Sequence, residues 1–337
     1  MTPSLAKWID WLTLQLIFLR RTPRDGGNQR LEEALQFLNG PDFIPAASPP
    51  AQVKFDQHPN RTRQFRFATP QPCEFAENNL VYGRLYPCGE RWQKRPVVVL
   101  LHGGGKYAIV MYRFLFPLIA RHCNRAGFNA ATLVAPYHFQ RRPAQTEALS
   151  HLDYLRGAKS TGQAVAEIRA LTGWLLQEGC PAVALWGSSY GGWLAGLVAC
   201  HDSRLAAVVL AKPSVRPRAS FARWIVRRRL REALKRQAAA RAKLGATPLN
   251  LTTSQPVIPK ANVLLIESIY DCFVPKEHIE ELWQAWRQPE IWRVPHGHVS
   301  LSLMAPGFTS RVLRWLAPRL NAPPKKIGIQ GSNCPPP

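Results

Sequence analysis

The stretch Val183-Ala-Leu-Trp-Gly-Ser-Ser-Tyr-Gly-Gly192 decides the reading of this chain. Four apolar residues, Val183 to Trp186, form a short buried-strand signal. Tyr190 to Cys200 follows as a helix rich in small residues. Between them, Gly187-Ser188-Ser189-Tyr190-Gly191 is a G-x-S-x-G in the strand–turn–helix setting that a nucleophile elbow needs. Such a turn forces its central serine into a strained backbone conformation. The glycines on either side let neighbouring chain pass closely, and the amides of the following helix point at the hydroxyl. Ser189 is therefore the candidate nucleophile. Ser188 has the wrong offset from the glycines, and its side chain is expected to point into the turn.

Working outward, apolar strands alternate with helical stretches. Val97 to Leu101, Asn129 to Val134, Leu205 to Ala211, Val263 to Ser268 and Ile291 to Val294 read as strands. Helices are expected near 110–126, after Ser160-Thr-Gly-Gln163 with its capping-box spacing, around Ile279 to Trp286, and near 308–320. Near-continuous apolar strands in this rhythm indicate an α/β, doubly wound, mainly parallel sheet covered on both faces. Upstream, Gln64-Phe-Arg-Phe and Leu80 to Tyr86 alternate apolar and polar residues and suit an antiparallel edge.

A serine needs a base, and the base needs an orienting acid. In chains with this elbow the order is Ser, then Asp or Glu, then His. Asp271 lies just past Val263–Ser268, where an open α/β sheet keeps its site. Glu267 is the runner-up acid, but it sits within the strand. Of the two histidines in Val294-Pro-His-Gly-His-Val-Ser300, His298 is preferred over His296 because it follows the glycine and leads into the last apolar stretch. His102-Gly103-Gly104-Gly105 follows the first parallel strand. Its backbone can present N–H groups to an oxyanion, so Gly104 or Gly105 is expected to supply one donor and Tyr190 another. His102 is read as structural. A phosphate loop is excluded, because no G-K-[ST] follows and the spacing is not that of a dinucleotide fold.

The flanks are less specific. Leu5, Trp8, Ile9, Leu12, Leu16 and Leu19 fall on one face of an amphipathic N-terminal helix, interrupted by Lys7 and Asp10. It suits either a membrane interface or packing on the main domain. A second helical stretch, Leu31 to Leu38, and a Pro-rich connector, Pro41 to Pro50, complete an extension over residues 1–60. The main domain is expected over 61–320 and a disordered tail over 321–337. Residues 212–258 interrupt the rhythm as a basic helical insertion placed where a lid would be. From Lys212 to Lys243 there are 12 Lys or Arg and one acid, Glu232. The basic stretch could meet an anionic membrane, steer an acidic substrate or form a solvated face.

The net charge of +23 over 337 residues favours anionic partners without specifying one. Nucleic acid is disfavoured, since no recognised motif surrounds the basic residues. Seven cysteines, odd in number and without a CxxC pair, argue against a metal site or disulfide framework and fit a reducing cytoplasm. No signal peptide or spanning segment is convincing at the N-terminus. Location at the inner membrane face, peripherally, is the variant that the Trp-bearing helix suggests.

Taken together, HGGG at 102–105, GSSYGG at 187–192, DCFVP at 271–275 and HGHVSL at 296–301 resemble the α/β-hydrolase superfamily from about residue 61 to 320. The N-terminal Leu/Trp helix and Val134-Ala-Pro-Tyr-His-Phe-Gln-Arg-Arg-Pro143 resemble bacterial relatives of the α/β-hydrolase domain-containing protein 18 family. That resemblance implies a Ser189–His298–Asp271 triad, no cofactor, and an ester, thioester or lipid acyl substrate. Dienelactone hydrolases carry a cysteine at the elbow, so their chemistry is not carried over to Ser189. The expected function is a serine hydrolase. The alternatives are a catalytically silent module binding anionic membrane or nucleic acid, and an acyltransferase using the same residues.

Overall fold

The structure is a computed structural model that describes residues 2–18, 30–46, 48–56, 62–105, 108–143, 153–216, 224–226, 228, 231, 232, 235, 238–303 and 305–321. The expected disordered tail lies, beyond Asn321, outside the described residues, as do Leu19 and most of the basic centre of the insertion.

Among the described residues nine strands form one sheet: β1 (Lys54–Phe55), β2 (Arg63–Ala68), β3 (Leu80–Tyr86), β4 (Val97–Leu101), β5 (Asn129–Leu133), β6 (Val183–Ser188), β7 (Ala207–Ala211), β8 (Val263–Ser268) and β9 (Glu290–Val294). Their order is β1-β2-β3-β5-β4-β6-β7-β8-β9. The pairs from β1 to β3, and β3 with β5, are antiparallel, whereas β5-β4-β6-β7-β8-β9 is parallel throughout. The expected antiparallel edge thus joins a parallel sheet. β1 lies past the Pro41–Pro50 connector, within the stretch assigned from sequence to the extension over residues 1–60; two residues are too few to give a periodic signal.

The inner parallel strands, β4 to β8, are buried almost throughout and without alternation because both faces are covered. Val97, Val99, Leu101, Val183 and Leu185 pack on one side, with α2 (Leu31–Asn39), α5 (Tyr154–Gln177), α6 (Tyr190–Ala199) and α8 (Lys276–Ala285). Val98, Leu100, Ala184 and Trp186 pack on the other, with α4 (Phe116–Arg125) and α10 (Ala305–Leu320). Ahead of α4, α3 (Ala108–Val110) continues through a π-helical turn at Met111–Leu115. The described residues also form two short helices, α7 (Ala238–Leu244) between β7 and β8 and α9 (His298–Leu303) after β9.

One helix start differs from the expected one. α5 begins at Tyr154, capped by the Asp153 side chain, which accepts from the Arg156 amide at 3.0 Å. Ser160 therefore lies inside the helix. Gly162, within this helix, lies so close to α2's trailing loop that a β-carbon there would meet the Phe43 carbonyl at 2.5 Å.

α1 (Pro3–Phe18) packs against α9. Its buried face is Ala6, Asp10 and Leu14, whereas Leu5, Trp8 and Leu16 of the apolar stripe are exposed. Leu14 packs with Ile225 of the insertion and Cys272, and Gln15 brackets the Trp224 carbonyl and the Val226 amide at 2.8 and 3.2 Å. The described parts of the insertion are likewise anchored: Ile225, Ala240, Leu244 and Leu249 are buried, and Lys243 pairs with Glu32 of α2 at 3.0 Å. Among the described residues no helix is long and apolar enough to cross a membrane.

Candidate active site

Parallel strands bring their carboxyl ends to one edge, and that edge collects the candidate residues. β4 leads into His102–Gly105, β6 into Ser189, β7 into Lys212, β8 into Asp271 and β9 into His298. Ser189 is the elbow, with φ 56° and ψ −116°. Only glycines permit the crossing chains around it. A β-carbon on Gly187 would lie 2.0 Å from the Gly191 carbonyl, and one on Gly191 would lie 2.2 Å from that of Leu101. The turn is held by the Ser189 amide, which donates to Ala211 at 2.9 Å.

The loops meet in a single row. Ser189 Oγ is 2.9 Å from His298 Nε2, and His298 Nδ1 is 2.7 Å from Asp271 Oδ2. A carboxylate only accepts, so Nδ1 carries the imidazole proton and Nε2 is free to take one from Ser189. The other oxygen of Asp271 accepts from the Phe273 and Val274 amides at 2.7 and 2.8 Å. The Phe273 ring stacks on the imidazole, 4.5 Å between centroids. The side chains of His298 and Asp271 are 10% and 3% exposed, enough burial for their charges to act at close range.

The rivals stand elsewhere. Glu267 is 3.1 Å from Arg293, and the His296 carbonyl accepts from Tyr270 at 3.0 Å while its ring joins no part of the row. Ser188 lines an apolar cavity of about 40 Å³ with Met111, Leu115, Trp186 and Lys212.

The glycine loop abuts the elbow. β-positions on Gly103 and Gly104 lie 3.7 Å from Ser189 Cβ and 3.3 Å from Tyr190 Cβ, whereas that of Gly105, at φ 79°, faces open space. His102 fixes this loop: Nδ1–H donates to the Gly103 carbonyl at 2.7 Å, and Nε2 accepts from the Ala135 amide at 3.1 Å. Burial lowers its pKa to about 3, so the ring is a neutral strut. His138 stacks on Tyr190 at 5.7 Å.

Three groups around the row have no role assigned to them by the sequence. Arg141 and Glu167 form a fully buried ion pair behind His138. Asp10 reaches the row from α1 through the backbone. Lys212, counted from sequence among the basic residues of the insertion, is buried, and its ammonium donates to the His298 carbonyl and, at 2.6 Å, to Ser302 Oγ.

Burial lowers the Lys212 pKa from 10.5 to about 8, against the pull of Asp271 and Asp10. Between those values the unfolded chain binds more of this proton than the folded one, so the contribution of Lys212 to stability rises with pH there. The stability of wild type minus that of Lys212→Met should therefore climb from pH 8 to 10.5 and stay level below. Urea titrations across the range measure it; a difference flat throughout would show that the ammonium is not desolvated.

The family model for alpha/beta hydrolase domain containing 18 matches residues 56–243. The chain belongs to that family. The matched span holds the glycine loop and the elbow; Asp271 and His298 lie beyond it. An uncharacterized protein of Mycobacterium tuberculosis is 28% identical over 269 residues, 77% of this chain and 60% of that protein, so the chain spans less than two thirds of this relative. Among solved structures the fold resembles an esterase of Pyrococcus furiosus (18% identity, TM-score 0.53, 81% of this chain and 100% of that one). It also resembles an acetyl xylan esterase of Paenibacillus (15%, TM-score 0.55, 89% and 98%) and an esterase of Pyrobaculum calidifontis (16%, TM-score 0.51, 95% and 97%). At these identities the likeness is one of fold: an α/β-hydrolase with a mostly parallel sheet.

Proposed function

We propose that this chain is a serine hydrolase that cleaves a carboxylic ester or related acyl bond through an acyl-enzyme. The supporting observation is the row from Ser189 Oγ through His298 to Asp271. In this reading Ser189 attacks the acyl carbonyl as His298 Nε2 takes its proton, and Asp271 stabilises the imidazolium. The developing oxyanion is met by the amide of Tyr190, at the start of α6, and by a backbone amide of the glycine loop. Gly104 is favoured over Gly105 because it lies against Tyr190. His298 then protonates the leaving group, and water, activated by the same imidazole, releases the acyl group from Ser189. Thioester and lipid acyl bonds are within the same chemistry. The exposed Leu5, Trp8 and Leu16 of α1 support a peripheral contact with an anionic membrane from the cytoplasmic side as part of this proposal.

The test is labelling with a fluorophosphonate probe, followed by a panel of p-nitrophenyl esters with and without anionic vesicles. Wild type should label, and Ser189→Ala should lose both labelling and about 10⁴-fold or more in turnover. A folded wild type that neither labels nor hydrolyses any ester would favour the silent binding module instead.

A further inference from the structure

The base and acid loops of the row share one more partner, and it comes from the far end of the chain. Asp10, in the middle of α1, is fully buried. Its Oδ2 accepts from the Cys272 amide at 3.0 Å and the His298 amide at 2.7 Å, and its Oδ1 accepts from the Val299 amide at 2.9 Å. Cys272 is the neighbour of Asp271, and His298 is the base itself. We propose that Asp10 is a positioning residue, through which the N-terminal helix sets the acid loop and the base loop in register with each other. This rests on the serine-hydrolase reading of the row.

The physical case begins with the cost of burying a carboxylate. It is tolerated only when the charge is met by donors, and here three backbone amides meet it. Burial, with the nearby Asp271 carboxylate, holds the Asp10 pKa above the ordinary aspartate value, against the pull of His298 and of the Val299 and Cys272 amides. The His298 and Val299 amides are also the first donors of α9, which have no partner within their own helix. A cap normally comes from the adjacent chain. Here it comes from a helix 288 residues away in sequence.

The backbone is shaped to this contact. A β-carbon on Gly297 would lie 2.9 Å from the Ala6 carbonyl and from the Asp10 carboxylate. Only glycine lets the histidine loop lie so close to α1. On the far side of the same residue, Lys212 holds the His298 carbonyl. The base is thus gripped at its N–H by an anion and at its C=O by a cation. Its imidazole is aimed by its own peptide unit, not only by Asp271. α1 also explains its own inverted appearance: the face it buries is the one carrying Asp10, so the apolar residues Leu5, Trp8 and Leu16 are left outside.

The experiment uses full-length Asp10→Ala and Asp10→Asn, with Leu38→Ala in α2 as a destabilised control remote from the row. All are assayed with p-nitrophenyl acetate and the fluorophosphonate probe, well below each melting temperature. A misplacement of the base by an ångström can cost about 100-fold, so Asp10→Ala should lower kcat and the labelling rate by about that factor with KM within about twofold. Asn keeps one acceptor oxygen for two of the three amides, so Asp10→Asn should recover part of the loss. Leu38→Ala should keep kcat within about twofold despite its lower melting temperature. A kcat within about twofold of wild type for both Asp10 variants would overturn the assignment, as would an equal kcat loss in Leu38→Ala. A silent wild type would overturn the hydrolase reading and this inference with it; an active wild type with active Asp10 variants would overturn this inference alone.

Discussion

Asp271→Asn is expected to lower kcat by about 10⁴-fold while leaving the fold intact. The size follows from how the carboxylate is held. Oδ1 accepts from two amides, Phe273 and Val274. An asparagine must keep its oxygen facing those donors, because turning it would set its NH₂ against two N–H groups. The NH₂ then faces His298 Nδ1, which has to accept. The imidazole proton is forced onto Nε2, toward Ser189, and the base can no longer take the serine proton. Asp271→Ala removes the acid without imposing the wrong tautomer and should lose less turnover, although it frees the Phe273 and Val274 amides and destabilises the loop. Steady-state kinetics on a p-nitrophenyl ester, with thermal melts to confirm folding, measure both. An Asp271→Asn enzyme within about tenfold of wild type would show that Asp271 does not set the tautomer.

The elements legible in the sequence are those whose signal is local. Val183–Gly192 carries strand, turn and helix within ten residues, and the structure reproduces each of them. The apolar strands are readable because both sheet faces are covered, and their parallel pairing follows from the alternation with helices. Asp271 and His298 could be nominated because the ends of β8 and β9 are short loops with few candidates. What escaped was set by distant partners. The start of α5 was misplaced because Ser160-Thr-Gly-Gln163 has the spacing of a cap, while the donor actually capped lies at Arg156. Asp10 reads in sequence as a charge spoiling an apolar stripe; its partners are backbone amides, which leave no mark in side-chain identity. Lys212 reads as one more cation in a basic run. It is buried because β7 ends at Ala211 and the chain turns there at φ 43°, next to the histidine loop. The short helix α9 has only six residues and no cap of its own in sequence.

Glu167→Ala is expected to destabilise the fold by about 3–5 kcal/mol, the usual consequence of leaving a buried charge without its partner. Glu167 lies on α5 and Arg141 in the loop after β5, and neither side chain is exposed. The pair is bidentate, at 2.6 and 2.7 Å. The guanidinium also donates to the Val134 and Asn78 carbonyls at 2.8 and 2.5 Å, and the Asn78 side chain in turn holds Gln163 and the Tyr137 amide. The network fixes the segment from Val134 to Arg141, whose His138 stacks on Tyr190 beside the elbow. A buried pair of this kind is weak evidence for stability, since apolar replacements of similar size often match it. The double variant Arg141→Met, Glu167→Leu should therefore recover most of the stability lost in Glu167→Ala. If the pair serves chiefly to shape the His138 loop, the double variant will melt near wild type and still turn over ester more slowly. Urea midpoints and kcat measured on the same three proteins separate the two contributions. A double variant as unstable as Glu167→Ala would mean that the hydrogen bonds to Val134 and Asn78, and not the uncompensated charge, account for the loss.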